Sequence, residues 1–423
     1  MKTEKHLRIL LVLPLYGGSL PIGRFCTQAL REIGHTVEEF EAPDFYSAFS
    51  AFKGLRVNSE RKEYLENSFL QLLSQAILAK TETFEPDLVL SMAQAPLSRQ
   101  ALKKLSRDGI TTAMWFMEDH RLFTYWKAFA PYYDFFAVIQ KEPILEELEK
   151  LGVNGIYLPM AALPGFHKQE DLSPLDKNRF GSDLSFMGAG YPNRRVAFRQ
   201  LVGYNFKIWG TEWEAEPSLA PFVQMEGARI SPEDCVKIYN AAKINLNLHS
   251  SIQTNKLVTH GDFVNPRTFE LAACAAFQLV DERSLLPELF NTEELACFGS
   301  MEELLDLIPY YLDRESKRTE MAKAACERVL REHTYQHRMR SLLDFIAGKK
   351  PGWPAARNRY QEFMNELPAD IALQAVELLS RLNLPANAAF ADLIWELRKQ
   401  QGPLSDLETA LLFLDEWKKQ YLN

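Results

Sequence analysis

Two side chains in one short stretch pose a chemical choice. The segment "NPRTFELAACAAFQLVD" puts Arg267 and Glu270 three positions apart, just after Asn265 and Pro266. Asparagine is a good helix N-cap and proline a good first helical residue, so both charges fall on one side of the first turns. A helix start attracts phosphate, a guanidinium adds a full charge, and a carboxylate accepts hydrogen bonds from ribose hydroxyls. Together, with Asn265 and Thr268 beside them, they could hold a nucleoside diphosphate. They could equally be an exposed pair, since a glutamate near a helix start is favourable without ligand by about 0.3–1 kcal/mol.

Other stretches carry compatible chemistry. In "LSFMGAGYPNRR" a strand runs into Gly188-Ala189-Gly190, and a helix is expected to begin near Pro192. Glycines let backbone approach a phosphate, and Arg194 and Arg195 could grip it; the alternative is a tight turn with solvated arginines. Asn193 stands where a dinucleotide fingerprint needs its third glycine. "FKIWGTEW" offers Trp209 to a base or sugar and Gly210 to their approach; a core tryptophan and a turn glycine explain it as well. Glu212 lies near the place of a ribose-binding acid, which keeps a nicotinamide-dependent oxidoreductase or an epimerase open. "INLNLHSS" adds Asn247 and His249 as sugar or phosphate contacts. "AMWFMEDHR" sets Glu118, Asp119 and His120 side by side after a strand, where histidine's ordinary pKa suits a general base; a helix cap or turn is the alternative. Tyr16, Gly17 and Gly18 follow the first strand as an acceptor-side rim loop.

The elements that position these residues read as short apolar runs separated by helical patterns. The runs are "RILLVLP", "TVEEFEA", "DLVLSMA", "TTAMWFM", "DFFAVIQ" and "GIYLPMA", then "DLSFMG", "NFKIWG", "KINLNLH", "AFQLVD" and "LACFG". Such strands imply parallel sheets covered on both faces. The polar "HKQEDLSPLDKNRFGS" reads as a linker, giving an α/β domain over residues 1–165 and a second over 175–346. Residues 350–423 read as a helical extension, with Ser405 and Glu408 as a capping box for its last helix. Doubly wound domains bind ligands outside the carboxyl ends of their strands.

Composition narrows the classes. A chain of 423 residues has room for two or three domains, and a net charge of -8 argues against a general nucleic-acid binder. No apolar run reaches the roughly 20 residues of a membrane span. Lys2, Lys5 and Arg8 before "ILLVLPL" resemble a signal peptide, but the run is short and a buried strand entering a glycine loop explains it better. Five cysteines, none in CxxC spacing, fit neither a disulfide framework nor a zinc site, so a cytoplasmic protein without a metal centre is expected.

Taken in order, "FMGAGYPNRR", "IWGTEW", "IYNAAKINLNLH", "NPRTFELAACAAFQLVD" and "RVLREHTYQHRM" resemble the CgeB-like glycosyltransferases of the GT-B fold. "WFMEDHR" and "YLPMAA" resemble that family's N-terminal half. The resemblance covers roughly residues 8 to 346 and is most specific from Ser182 to Asp281. It implies two Rossmann-like domains facing a cleft, with the acceptor (a glycan or a protein) on the first and a UDP-, GDP- or dTDP-sugar on the second. It also implies metal-independent transfer with no bound cofactor. Related enzymes carry an acid, seven residues, then a glutamate that holds the donor ribose. Glu270 matches that glutamate, and Asp262 stands at the acid's position, where glutamate is usual. The basic pair Arg194 and Arg195 resembles residues that neutralise the leaving diphosphate. The rival reading of a non-catalytic scaffold gives the C-terminal helices a partner, or a second copy, to dock.

Overall fold

The computed structural model describes residues 6–254, 256–258, 261–354, 368–385, 388 and 390–421. Each apolar run named above forms a strand. They are β1 (Arg8–Val12), β2 (Thr36–Phe40), β3 (Leu88–Met92), β4 (Thr111–Phe116), β5 (Phe135–Val138), β6 (Asn154–Tyr157), β7 (Ser182–Met187), β8 (Phe206–Trp209), β9 (Ala242–Asn247), β10 (Gln278–Asp281) and β11 (Ala296–Phe298). The first sheet has the order β2-β1-β3-β4-β5-β6 and the second β11-β10-β9-β7-β8. Neighbouring strands pair in parallel, for example Arg8 with Thr36 and Leu184 with Ile244. Central strands are buried along their whole length, which is why they read as continuous apolar runs rather than alternating ones.

Dense contacts divide the chain into two units. One comprises Met1–Leu15, Gly34–Thr112 and Ile346–Asn423; the other comprises Tyr16–Ile33 and Ala113–Phe345.

In the first unit the segment after Ile346 runs past the amino ends of successive strands. Lys350 Nζ donates to Thr111 Oγ1 at 2.9 Å, at the start of β4. Trp353 Nε1 donates to the Asp87 carbonyl at 3.1 Å, just before β3. Arg8, at the start of β1, is 1% exposed. Its guanidinium donates to the Phe84 carbonyl and pairs with Asp392, while Phe84 meets the ring of Trp395. The helices Ala369–Arg381, Phe390–Lys399 and Asp406–Tyr421 share a core that includes Leu378, Leu393, Leu397 and Leu411. The capping box closes as expected: Ser405 N donates to Glu408 Oε2 at 2.7 Å, and Glu408 N donates to Ser405 Oγ at 3.3 Å.

In the second unit the helix Ser19–Glu32 places Phe25 against Phe166, His167 and Tyr335. The stretch read as a polar linker is partly ordered by its own chemistry. Ser173 caps a short helix, Pro174–Phe180, whose last residue is fully buried against Trp209. Among the described residues no helix is long and apolar enough to cross a membrane.

Candidate active site

In the second sheet the chain leaves β7 for β8 on one side and returns to β9 on the other. The switch point therefore lies between β7 and β9, and the crevice outside their carboxyl ends is where an open α/β sheet takes ligand. Both loops there contain sequence-predicted residues, and the structure gives them different jobs.

The glycines join strand ends. Gly188 N donates to the Trp209 carbonyl and Gly190 N to the Thr211 carbonyl, both at 2.8 Å. A Cβ on Gly210, whose φ is +113°, would meet the Gly188 carbonyl oxygen at 2.8 Å, and one on Gly190 would collide with the Glu212 carbonyl. These glycines are needed for backbone-to-backbone approach, and the amides expected to cradle phosphate are already occupied. Trp209 is 1% exposed, packed with Phe180, Tyr239 and Leu271, so the core alternative holds and no face is open to a base. Asn193 is a buried staple: its side chain donates to the His249 and Leu257 carbonyls and accepts from Ser251 N. A dinucleotide loop cannot form around it.

Arg194 is also a brace. Its Nε donates to the Leu248 carbonyl at 2.9 Å and its Nη1 to the Ala189 carbonyl at 3.0 Å. Burial, and then the charge of Arg267, lower its pKa to about 9. Arg195 is half-buried and donates to the Glu212 carbonyl at 3.2 Å. Asn247, His249, Asn265 and Thr268 were expected to touch ligand, but all four are buried and spent on one another. Asn265 Nδ2 donates to Asn247 Oδ1 at 2.7 Å, and Asn247 Nδ2 donates to Thr268 Oγ1 at 2.9 Å. Asn265 Oδ1 caps Thr268 N at 3.1 Å. His249 Nδ1 donates to Asp281 at 2.6 Å, and its Nε2 accepts from Asn265 N at 2.9 Å. A ring nitrogen that accepts from an amide carries no proton, so His249 is neutral; burial pushes its pKa down to about 4. Burial works to raise the Asp281 carboxyl, but His249 and Arg283 hold it below the ordinary range. This network seats the start of the helix Pro266–Ala273 on the ends of β9 and β10.

The two residues that helix carries are placed differently. Arg267 lies over Gly188: a Cβ there would meet its Nη2 at 3.2 Å. Its guanidinium carbon sits 5.6 Å from the Phe186 ring centroid, and that of Arg194 sits 5.0 Å from the same ring. Arg267 Nε is buried without a hydrogen-bond partner, and no carboxylate among the described residues pairs with the side chain. One turn on, Glu270 Oε2 accepts from the Tyr239 hydroxyl at 3.1 Å, and Oε1 faces His167 Nε2 at 4.0 Å. His167 Nδ1 accepts from Leu163 N, so its Nε2 bears the proton directed at Glu270. Arg267 and Glu270 are therefore separate contacts, not an ion pair.

A second cluster follows β4. Asp119 Oδ1 accepts from Arg121 N at 2.9 Å, forming a turn, and Glu118 accepts from the Tyr125 hydroxyl at 2.7 Å. His120 is buried; its backbone N and ring Nδ1 both contact Gln140 Oε1 at 3.0 Å. Gln140 Nε2 then donates to Asp262 Oδ1 at 2.8 Å. Arg283, buried behind the same loop, donates to the Phe263 carbonyl; burial lowers its pKa, while Asp281, Asp262 and Asp119 oppose that shift. Asp262 is thus linked to His120 through Gln140, which lies 122 positions before it in sequence. Tyr16 is exposed, Gly17 adopts φ +107° and accepts from Arg229 at 3.0 Å, and Gly18 precedes the first helix.

Comparisons with known proteins bear on the fold and the class of this chain. Residues 194–344 match the family model described as glycosyl transferase-like. Spore protein CgeB of Bacillus subtilis (strain 168) is 24% identical over 268 residues, spanning 61% of this chain and 82% of that protein. The chain carries a glycosyl transferase-like domain on a GT-B fold and resembles CgeB. Among solved structures, a sucrose-phosphate synthase from Thermosynechococcus elongatus superposes with a TM-score of 0.56 at 12% identity, covering 82% of this chain and 100% of that one. Anabaena Alr3699/HepE, in complex with UDP and glucose, gives a TM-score of 0.56 at 11% identity, with coverage of 81% and 100%. At such identities these neighbours speak to fold alone. Sequence reasoning about this glycosyltransferase missed Gln140, His167, Tyr239 and Arg283. Each acts through a partner far away in sequence; only Gln140, a polar residue ending an apolar run, left a local signal.

Proposed function

We propose that this enzyme moves a sugar from a nucleoside-diphosphate sugar to a hydroxyl of a glycan or protein, with no metal in the step. The observation that carries the reading is the side chain of Arg267: a guanidinium with an unpartnered buried Nε, beside a second guanidinium, one helical turn before a propped carboxylate. An anion there supplies the missing acceptor, and Arg267 and Arg194 together offset charge on a leaving diphosphate without a cation. Glu270, held by Tyr239, accepts from ribose hydroxyls. The donor domain corresponds to residues 175–346 and the acceptor domain to 1–165.

On the acceptor side His120 is the general base. The acceptor hydroxyl gives its proton to Nε2, its oxygen bonds the anomeric carbon, and the bond from that carbon to the β-phosphate oxygen breaks. Asp119 and Glu118 shape the wall beside it, and Asp262 reaches the transferred sugar. Tyr16, Gly17 and Gly18 meet the acceptor. Free cysteines fit a reducing, cytoplasmic setting.

The test is a thermal-shift panel of UDP, GDP, dTDP, CMP and their sugars, because a ligand that binds the native state raises apparent stability. One nucleoside diphosphate and its sugar should stabilise the wild type and fail to stabilise Arg267→Ala. A panel without any shift, or an equal shift in the variant, overturns the reading.

A further inference from the structure

The chain from His120 through Gln140 to Asp262 is fixed by chemistry that leaves little choice of assignment. A backbone N–H can only donate, so the Gln140 atom facing His120 N must be its oxygen. The same oxygen lies 3.0 Å from His120 Nδ1. An amide oxygen has no proton to give, so Nδ1 must carry one. In the neutral ring the lone pair then resides on Nε2, which has no hydrogen-bond partner among the described residues. With its oxygen committed, Gln140 must present its NH2 to the other side, where Asp262 Oδ1 accepts at 2.8 Å. Gln140 is 1% exposed, and each of these polar contacts would be lost if it turned over.

We infer that Gln140 is a positioning residue that selects the base-competent tautomer of His120 and ties that choice to the seating of Asp262. The inference rests on the reading of His120 as base. A glutamine suits the task as a carboxylate would not. It accepts from the imidazole without adding charge to it, and it donates to Asp262, which a carboxylate would repel. Several charged groups stand near the ring. Glu118, Asp119 and Arg121 share its turn, Glu147 approaches from the helix Ile144–Lys150, and Asp262 lies beyond the amide with Arg283 near it. Loss of Gln140 would free the ring to exchange tautomers and leave Asp262 without its donor.

The experiment compares full-length wild type with Gln140→Leu, Gln140→Glu and His120→Ala. Imidazole nitrogen shifts are recorded by NMR with ¹⁵N-histidine, with the His120 signals assigned by their loss in His120→Ala. UDP release from UDP-glucose is followed across pH, and melting curves check folding. Wild type should show protonated Nδ1 and bare Nε2; Gln140→Leu should show a mixture. Its turnover should fall roughly tenfold to a hundredfold with little change in KM. In Gln140→Glu the acidic limb of the rate profile should move to higher pH, because a carboxylate against Nδ1 favours the imidazolium. A folded Gln140→Leu with the wild-type nitrogen shifts overturns the inference, whatever the activity. Wild-type turnover in His120→Ala would instead remove the base reading, while the tautomer result would still stand or fall alone.

Discussion

Two arginines at strand ends show opposite uses of the same side chain. Arg8, at the amino end of β1, is buried with its guanidinium spent on a carbonyl, an aspartate and the face of Phe84. Arg267, beyond the carboxyl end of β9, is also pressed on a phenylalanine, yet its Nε has no acceptor. Leaving a buried donor unsatisfied costs about 1–3 kcal/mol, so an acceptor supplied from outside would be favourable at Arg267. Arg8 is satisfied by the fold. Arg267, in the function we propose, is completed by a ligand. A parallel sheet separates these roles by polarity: structural pairs can close its amino edge, while its carboxyl edge stays open for substrate.

The contrast can be broken by mutation. The largest effect is expected for Asp392→Ala, which strands the buried charge of Arg8 and should cost about 3–5 kcal/mol, read as a lower urea midpoint. Nucleotide affinity of the folded protein should not change; a loss of affinity without a loss of stability would invert the comparison. Next come Arg267→Ala and Glu270→Ala, each expected to weaken nucleoside-diphosphate binding by about 1.5–3 kcal/mol in calorimetric titration while the ligand-free melting temperature stays near wild type. Glu270→Ala should also erase any preference for ribonucleotides over their 2′-deoxy forms.

A separate effect concerns pH. The folded state holds His249 and His333 near about 4, against an ordinary value of 6.5. Across that window the unfolded chain binds protons that the native state refuses, so stability should rise with pH between about 4 and 6.5. Thermal melts across this range measure the slope, and His249→Gln should flatten it. The smallest change is Ser405→Ala, which removes one cap of the last helix at about 1 kcal/mol and should leave nucleotide binding untouched.

The strands were legible because burial on both faces leaves uninterrupted apolar runs, and the caps at Asn265 and Ser405 because capping chemistry is local. Arg267 and Glu270 were legible for the same reason: their relation is three residues long. What spacing hid was the allocation of partners. Asn247 and His249 carry ligand-like chemistry, but long-range contacts consume it, as they consume hydrogen bonds of Arg194, which keeps its charge for the site we propose; those contacts depend on which strands become neighbours. The glycines misled in another way. Their freedom serves the approach of β7 and β8 backbones, a steric demand that looks, in sequence, like a phosphate loop. Asp262 became meaningful only beside Gln140, a residue whose own importance lies in what it joins.

The pairing of Arg8 with Asp392 spans 384 positions. During synthesis β1 leaves the ribosome 384 residues ahead of Asp392, so its guanidinium must wait for the chain between them before it meets this counter-charge. Until then the amino edge of the first sheet holds a cation that cannot be sealed without penalty. A nascent chain stalled before the helix Phe390–Lys399 would lack that counter-charge and leave the edge of the sheet exposed to misassembly.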